Sequence, residues 1–379
     1  MTSSVSSSST ATPSYCSRVL TDDSDSSLWN SFVSDLPEAD VLQAWEWAAV
    51  KSPEWRPLRV VVYKGDSIVA GAQILRRKVP LVGIIYYAPR GPLSVDWSDV
   101  EAFRTLLHSI RREASKEGAA MLKIDPAISS EDHGIAEMLI TEGFVRPQSE
   151  DDQGFGGTQP RCVMQLDLAG RSLDEVRASF KGQTRRNIKL ACEKHGVTVR
   201  HDLDRSDLVT FDHLMKITGE RDGFRPRSLR YFQNVWDALF AVGMCRLFLS
   251  YYEGSILSGA LCFKLKDKCW YVYGASSNEH RNVMPNYAMQ WAMVSWAYEA
   301  GCSWYDFRGV SQRRRQEGEN VAEIEEQDHL QGLNRFKEGF SPRYVEYIGE
   351  YDLVYKPLQY WAYCNGIPLA KKLLKKLKP

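Results

Sequence analysis

Apolar residues dominate positions 58–63, with Arg59 among them, break at Lys64-Gly65-Asp66, and return in a run that closes on Gly71-Ala72; a third run begins at Ile84. Short β-branched runs split by a glycine turn predict a tight hairpin followed by a third strand. Phe103, Leu106, Leu107 and Ile110 then recur at helical spacing and predict an amphipathic helix over 100–117. A short run at 121–124 follows, ending at Asp125 before Pro126. The same order returns in the second half of the chain. There the runs are 245–252, a turn at Glu253-Gly254-Ser255, a strand closing on Gly259-Ala260, and a third strand from Cys269. A helix over 287–300 and a strand over 303–307 carrying Asp306 complete it. Two such units predict duplication of one α/β unit.

The length of 379 residues also favours two domains over one core. Hydrophobic content of 44% and aromatic content of 11% are those of an ordinary globular protein. Lys+Arg and Asp+Glu both total 48, so there is no global basic field and a nucleic-acid partner must meet a local patch. Two stretches offer one. Lys181, Arg185, Arg186 and Lys189 fall on one predicted helix whose apolar face is Val176, Phe180 and Ile188. The end of the chain, 371–378, interleaves lysines with leucines, which suits tRNA phosphates, an anionic inner membrane face, or plain solubility. The eight cysteines form no CxxC pair, and Cys262, Cys269 and His280 lack zinc spacing, so no metal is expected and the compartment reads as reducing. Positions 1–17 are rich in Ser and Thr without an apolar run, unlike a signal peptide or a membrane span. The expected layout is a disordered leader over 1–25, domains over 26–165 and 166–365, and a basic tail over 366–379, in a cytoplasmic protein.

A hairpin, a third strand, a helix and a fourth strand is the core order of the GNAT acyltransferase fold. Enzymes of that fold hold the pyrophosphate of acetyl-CoA on a glycine-rich turn opening the helix. The matching turn here, 280–287, has no glycine, and Pro285 removes a donor. A donor other than CoA is therefore expected. Late in the chain, Lys337 sits between Phe336 and Phe340 beside Gly332 and Gly339. That is a setting in which a lysine meets developing negative charge, or one in which its stem merely covers apolar surface.

Over roughly 42–355 the chain resembles the Fem family of tRNA-dependent aminoacyltransferases, which build peptidoglycan cross-bridges on tandem GNAT-like domains. The resemblance rests on the stretches 43–51, 124–126, 181–188, 218–224, 271–277, 305–309 and 332–340, taken in their order and spacing. With no heptad run in the second domain, the chain resembles the compact, arm-less members. The charged insertion over 312–328 reads as a solvated loop. The fold class implied is α/β (α+β), two tandem GNAT-like domains without a coiled-coil arm.

What the resemblance implies is transfer of an amino acid from aminoacyl-tRNA to an amine on the peptide stem of a peptidoglycan precursor. The chain would act as a monomer and without a cofactor. Lys51 and Arg221, one from each domain, would grip the precursor's diphosphate, with Arg225 and Arg227 as secondary contacts. Each also has a purely structural reading: Lys51 as a helix C-terminal charge, Arg221 as the partner of Asp222. Tyr271 and Tyr273 alternate on a strand and so face one side, which would line the precursor site. Asp125 would orient or deprotonate the attacking ammonium, while Asp306 at the equivalent place holds a turn. Lys337 would stabilise the tetrahedral oxyanion, or hold terminal phosphates of the tRNA. Phe336 would stack on a terminal base or pack in the core. Lys181, Arg185 and Arg186 would meet the tRNA backbone. The alternatives are a GNAT-type N- or O-acyltransferase with another donor, for example in exopolysaccharide synthesis, and a binding module that kept the fold.

Overall fold

The computed structural model describes residues 15–147, 158–311, 329–367 and 369. The first half holds β1 (Tyr15–Leu20), β2 (Arg56–Lys64), β3 (Ser67–Val79), β4 (Gly83–Ala88), β5 (Leu93–Ser94), β6 (Ala119–Ile124) and β7 (Phe144–Val145). The second holds β8 (Cys162–Asp167), β9 (Thr198–Arg200), β10 (Cys245–Tyr252), β11 (Ser255–Leu265), β12 (Lys268–Ser276), β13 (Trp304–Gly309) and β14 (Arg343–Glu346). A last strand, β15 (Tyr351–Val354), returns to the first sheet and lies between β6 and β7.

The duplication shows in the pairing. β2–β3 and β10–β11 are antiparallel hairpins, each with a bulge beside its turn. β4 then pairs parallel with β6, and β12 parallel with β13. The crossovers are the helices Val100–Glu117 and Pro285–Glu299. Asp99 caps the first by accepting from the Ala102 N–H, and Gly118 ends it in the left-handed conformation. Its predicted apolar stripe, Phe103, Leu106, Leu107 and Ile110, is buried on the sheet.

The second strand of each unit runs on past the Gly-Ala pair expected to close it, to Val79 and Leu265, and the glycine within each has one physical cause. A side chain at Gly71 would press on Trp29 and Phe32, and one at Gly259 on Phe211 and Leu249. Each glycine lets an aromatic ring come close against the sheet. Gly259→Val is expected to lower the free energy of unfolding by about 1–3 kcal/mol through overpacking. Urea denaturation checks this; an unchanged midpoint would mean that the Phe211 ring gives way freely.

The two halves share a core. Trp29, Val33 and Trp47, from the segment between β1 and β2, pack in one apolar cluster with Leu247, Phe263 and Trp270 of the second sheet. Trp47 meets Phe263 edge-on at 5.9 Å. The segment is a wedge that fixes one half against the other.

Three boundaries differ from expectation. Tyr15–Leu20, placed in the leader by its Ser- and Thr-rich surroundings, is an edge strand on β2, tied by the Tyr15 hydroxyl to Asp99 at 2.7 Å. Cys162–Asp167 belongs wholly to the second sheet, so that half begins before 166. β15 returns to the first sheet, and Tyr360, Tyr363 and Ile367 after it pack on Ile85 and Met121 of that half. Positions 1–14, the insertion over 312–328 and nearly all of the tail lie outside the described residues. Among those described, the longest helix has 18 residues and none is long and apolar enough to cross a membrane.

Candidate functional site

Lys51 is the last residue of the helix Trp47–Lys51, whose buried Trp47 and Val50 pin it into the wedge. Its ammonium lies 5.1 Å from the Trp47 ring and 5.2 Å from the Tyr231 ring, one aromatic from each half. Tyr231 rides the helix Leu229–Leu239, which Ser228 caps. Two cavities meet at this lysine. One, of about 770 Å³, is lined by Lys51, Arg77, Lys216, Arg225, Arg227 and Arg230, with Glu54 and Asp212. The other, of about 830 Å³, shares Lys51, Trp55, Arg77 and Arg227 with the first and continues along an apolar wall. Burial, and then repulsion from Arg227, pull the Lys51 ammonium down to about 8. A cation held in a half-dry place beside further cations is short of negative charge, and an anion entering there relieves both effects.

Not all the expected phosphate contacts converge here. Arg225 lines the first cavity and Arg227 lines both. Arg221 lines neither. Its guanidinium pairs with the adjacent Asp222 at 2.7 and 3.0 Å, and its remaining terminal nitrogen donates to Ser276 and Asn278. All three guanidinium nitrogens of Arg221 thus have partners within the second half. Tyr273 reaches the site indirectly, its hydroxyl 2.9 Å from that of Tyr231 beneath Lys51.

Tyr271 does not share the Tyr273 face. A register shift between Leu261 and Cys262 takes up one residue of β12, so the expected alternation fails. Tyr271 packs with the core of the second half, whereas Tyr273 packs with the shared core. The Tyr271 ring lies over Gly274, where no other residue fits.

Asp125 is buried, with both oxygens occupied. It accepts from the Tyr87 hydroxyl at 2.7 Å and from the Arg90 N–H at 2.6 Å. Burial raises its carboxyl to about 7, against the lowering effect of Arg90. Asp125 lines neither cavity, but Tyr87 lines the larger one, so the carboxylate communicates with that space through the phenol. Behind it runs a buried charged seam between the halves. Asp40 pairs with Arg308 at 3.0 Å and lies 3.9 Å from Arg90, and the Arg90 guanidinium covers the Tyr347 ring at 4.7 Å. Asp306 accepts from the Arg308 N–H at 2.5 Å, holding a backbone turn in which Arg308 has φ +58°.

Lys337, on the helix His329–Glu338, is buried and donates to the Gly309 carbonyl at 2.6 Å. Burial brings its ammonium down to about 7, with Asp306 opposing. It too lines neither cavity. Phe336 is half-buried, edge-on to Tyr287 at 5.0 Å. The basic helix lies alongside: the Lys181 N–H donates to the Gly339 carbonyl, and Lys181 approaches Glu338 at 3.7 Å. The single helix expected there is two, Leu173–Ser179 and Gly182–Lys189, broken by extended Phe180. Arg185 closes the first by donating to the carbonyls of Ala178 and Phe180 at 2.6 Å, while Arg186 is exposed and its side chain donates to Gln183 at 3.3 Å.

Sequence reasoning missed Tyr87, Trp55 and Tyr231. For Tyr87 a signal existed: it ends the third strand of the first unit, beside the strand that delivers Asp125. Tyr231 and Trp55 carry no such mark.

Comparison with known proteins agrees with this architecture. A model described as the FemAB family matches residues 25–242 and 246–365. The lipid II:glycine glycyltransferase of Staphylococcus saprophyticus is 32% identical, over 92% of this chain and 97% of its own. The crystal structure of FemX superposes with a TM-score of 0.80 at 29% identity, covering 92% of this chain and all of that one. A tandem GNAT protein from clavulanic acid biosynthesis shares the fold at a TM-score of 0.54 and 11% identity, over 89% of this chain and 98% of its own.

Proposed function

Because this chain belongs to the FemAB family, we propose that it transfers an amino acid from aminoacyl-tRNA to an amine on the peptide stem of a peptidoglycan precursor. The observation that carries the reading is Lys51, held between aromatic rings of both halves where two cavities meet and faced by Arg227. Such a place suits a diphosphate with a large group on either side. In this reading Lys51 and Arg227 grip the diphosphate, with Arg225 at the mouth of the cationic cavity.

The stem amine attacks the carbonyl carbon of the aminoacyl ester. The C–N bond forms, the amine passes a proton through the Tyr87 hydroxyl to Asp125, and the carbonyl oxygen takes up negative charge. Lys337 leaves the Gly309 carbonyl to meet that oxyanion. The ester C–O bond then breaks and the ribose oxygen departs as a hydroxyl, taking back through Tyr87 the proton held on Asp125, which returns to carboxylate. Since the ester is already activated, no covalent enzyme intermediate is needed. Lys181 and Arg186 contact the tRNA backbone beside Phe336, and these contacts weaken steeply with salt.

The test is transfer of labelled amino acid from a panel of charged tRNAs to precursor, with acetyl-CoA as the competing donor. Transfer from at least one charged tRNA is expected. Acylation from acetyl-CoA, with none from any charged tRNA, would overturn the reading in favour of a CoA-dependent acyltransferase.

A further inference from the structure

Arg90 and Arg308 both take a positive φ, +55° and +58°, where a residue other than glycine is strained. Both are buried, one in each half, and their side chains face the same carboxylate. Asp40 accepts from Arg308 at 3.0 and 3.2 Å and lies 3.9 Å from the Arg90 Nε. Asp40 is itself fixed within the wedge, where it accepts from the Leu42 N–H at 3.0 Å. What each arginine holds with its backbone bears on the chemistry. The Arg90 N–H donates to Asp125 at 2.6 Å. The Arg308 N–H donates to Asp306 at 2.5 Å, and the next residue, Gly309, supplies the carbonyl that Lys337 meets at 2.6 Å. Arg308 lies inside the register shift of β13 on β8, between Asp306 and Gly309, so the turn it makes sets both groups that act on Lys337. Gln165 and Tyr347 fill the space between: Gln165 donates to Asp306 at 3.2 Å and to the Tyr347 hydroxyl at 3.0 Å, and the Arg90 guanidinium covers the Tyr347 ring. Strained backbone persists where its surroundings hold it, and the holder common to both arginines is Asp40.

We propose that Asp40 is a positioning residue for transfer: by fixing Arg90 and Arg308 it sets Asp125 in one half in register with the Asp306–Lys337 pair in the other. The proposal rests on the reading of Asp125 as proton acceptor and Lys337 as oxyanion partner, and adds what aligns them. Asp40 lines neither cavity, so its effect on the rate passes through the two arginines.

The test is the pH–rate profile of the full chain, with charged tRNA and precursor, compared with that of Asp40→Asn. Asparagine keeps the shape and the acceptor for the Leu42 N–H, and removes the charge. The other charged groups in reach are Lys268 beside Asp40, Glu350 acting on Asp125 and Asp306 acting on Lys337, and the substitution leaves all three in place. With Arg90 and Arg308 uncompensated, the Asp125 carboxyl and the Lys337 ammonium both lose their protons at lower pH. The acidic and alkaline limbs are therefore expected to move together toward acid, by about half a unit or more. At the optimum kcat is expected to fall about tenfold, with the KM for precursor within about twofold. Arg308→Lys is the second variant, and decides alone if the first does not fold. It keeps every charge but loses the two-pronged contact with Asp40, so kcat is expected to fall about tenfold with both limbs in place. Native limbs in a less stable Asp40→Asn, or a native kcat in Arg308→Lys, would overturn the proposal. Limbs that persist in Asp125→Asn and Lys337→Met would instead strike the assignment of those two groups, so the two failures are distinct.

Discussion

Lys337→Met lowers kcat about a hundredfold and leaves the KM for precursor within about twofold, if the lysine acts on the oxyanion. Methionine keeps the apolar stem that packs in the buried helix and removes only the ammonium, so packing is little disturbed. What is lost is a donor in a dry place, where a fixed charge acts with little screening. Burial brings that ammonium down to about 7. It is charged below that pH and neutral above it, so activity should decline on the alkaline side. In Lys337→Met the alkaline limb should vanish along with most of the rate. Steady-state kinetics across pH 5–9 decides this. A collapse of precursor affinity with kcat intact would mean that Lys337 serves binding of the acceptor.

Asp125→Asn is the complementary case. Burial holds the carboxyl up at about 7, so below that pH it is already protonated and accepts nothing. Activity should therefore rise with pH through this range, giving with Lys337 a narrow bell near neutrality. Asn keeps the shape and can still accept from the Arg90 N–H, but it takes no proton. The expected loss in kcat is about 10²–10⁴-fold, with the acidic limb abolished. Tyr87→Phe, which breaks the path from the cavity to Asp125, should fall in the same direction while the protein stays folded. If Asp125→Asn lowers thermal stability and leaves the acidic limb in place, the residue is a scaffold for Arg90 alone.

Much of the fold was legible because glycine turns mark both hairpins and a helical stripe follows each. Other features depend on partners that a linear pattern does not carry. β1 is six residues beside a Ser- and Thr-rich stretch, and only its pairing with β2 reveals it. β15 is four residues, too few to declare which sheet they join. The opposite facing of Tyr271 and Tyr273 comes from a bulge that exists only against β11. In the site, Lys51 was singled out through the resemblance; its place between two aromatic rings is observed, and its role as a ligand-binding cation is what we propose. Arg221 was the expected partner, yet Asp222 beside it captures its guanidinium, and Arg227 stands in the cavity instead. The burial of Lys337 was foreshadowed by Phe336, Gly339 and Phe340. Its distance from both cavities was not, because it depends on how β13 and the helix after it meet.

The central claim is that cations from both halves hold one diphosphate, and a double-mutant cycle on precursor binding tests it most directly. Affinities of the native chain, Lys51→Met, Arg227→Met and the double variant are to be measured at one fixed ionic strength. Two cations on the same ligand group should be coupled by about 0.5–3 kcal/mol, the double variant losing less than the sum of the singles. Losses that simply add, within about 0.3–0.5 kcal/mol, would mean that the two side chains serve separate places and would contradict the account.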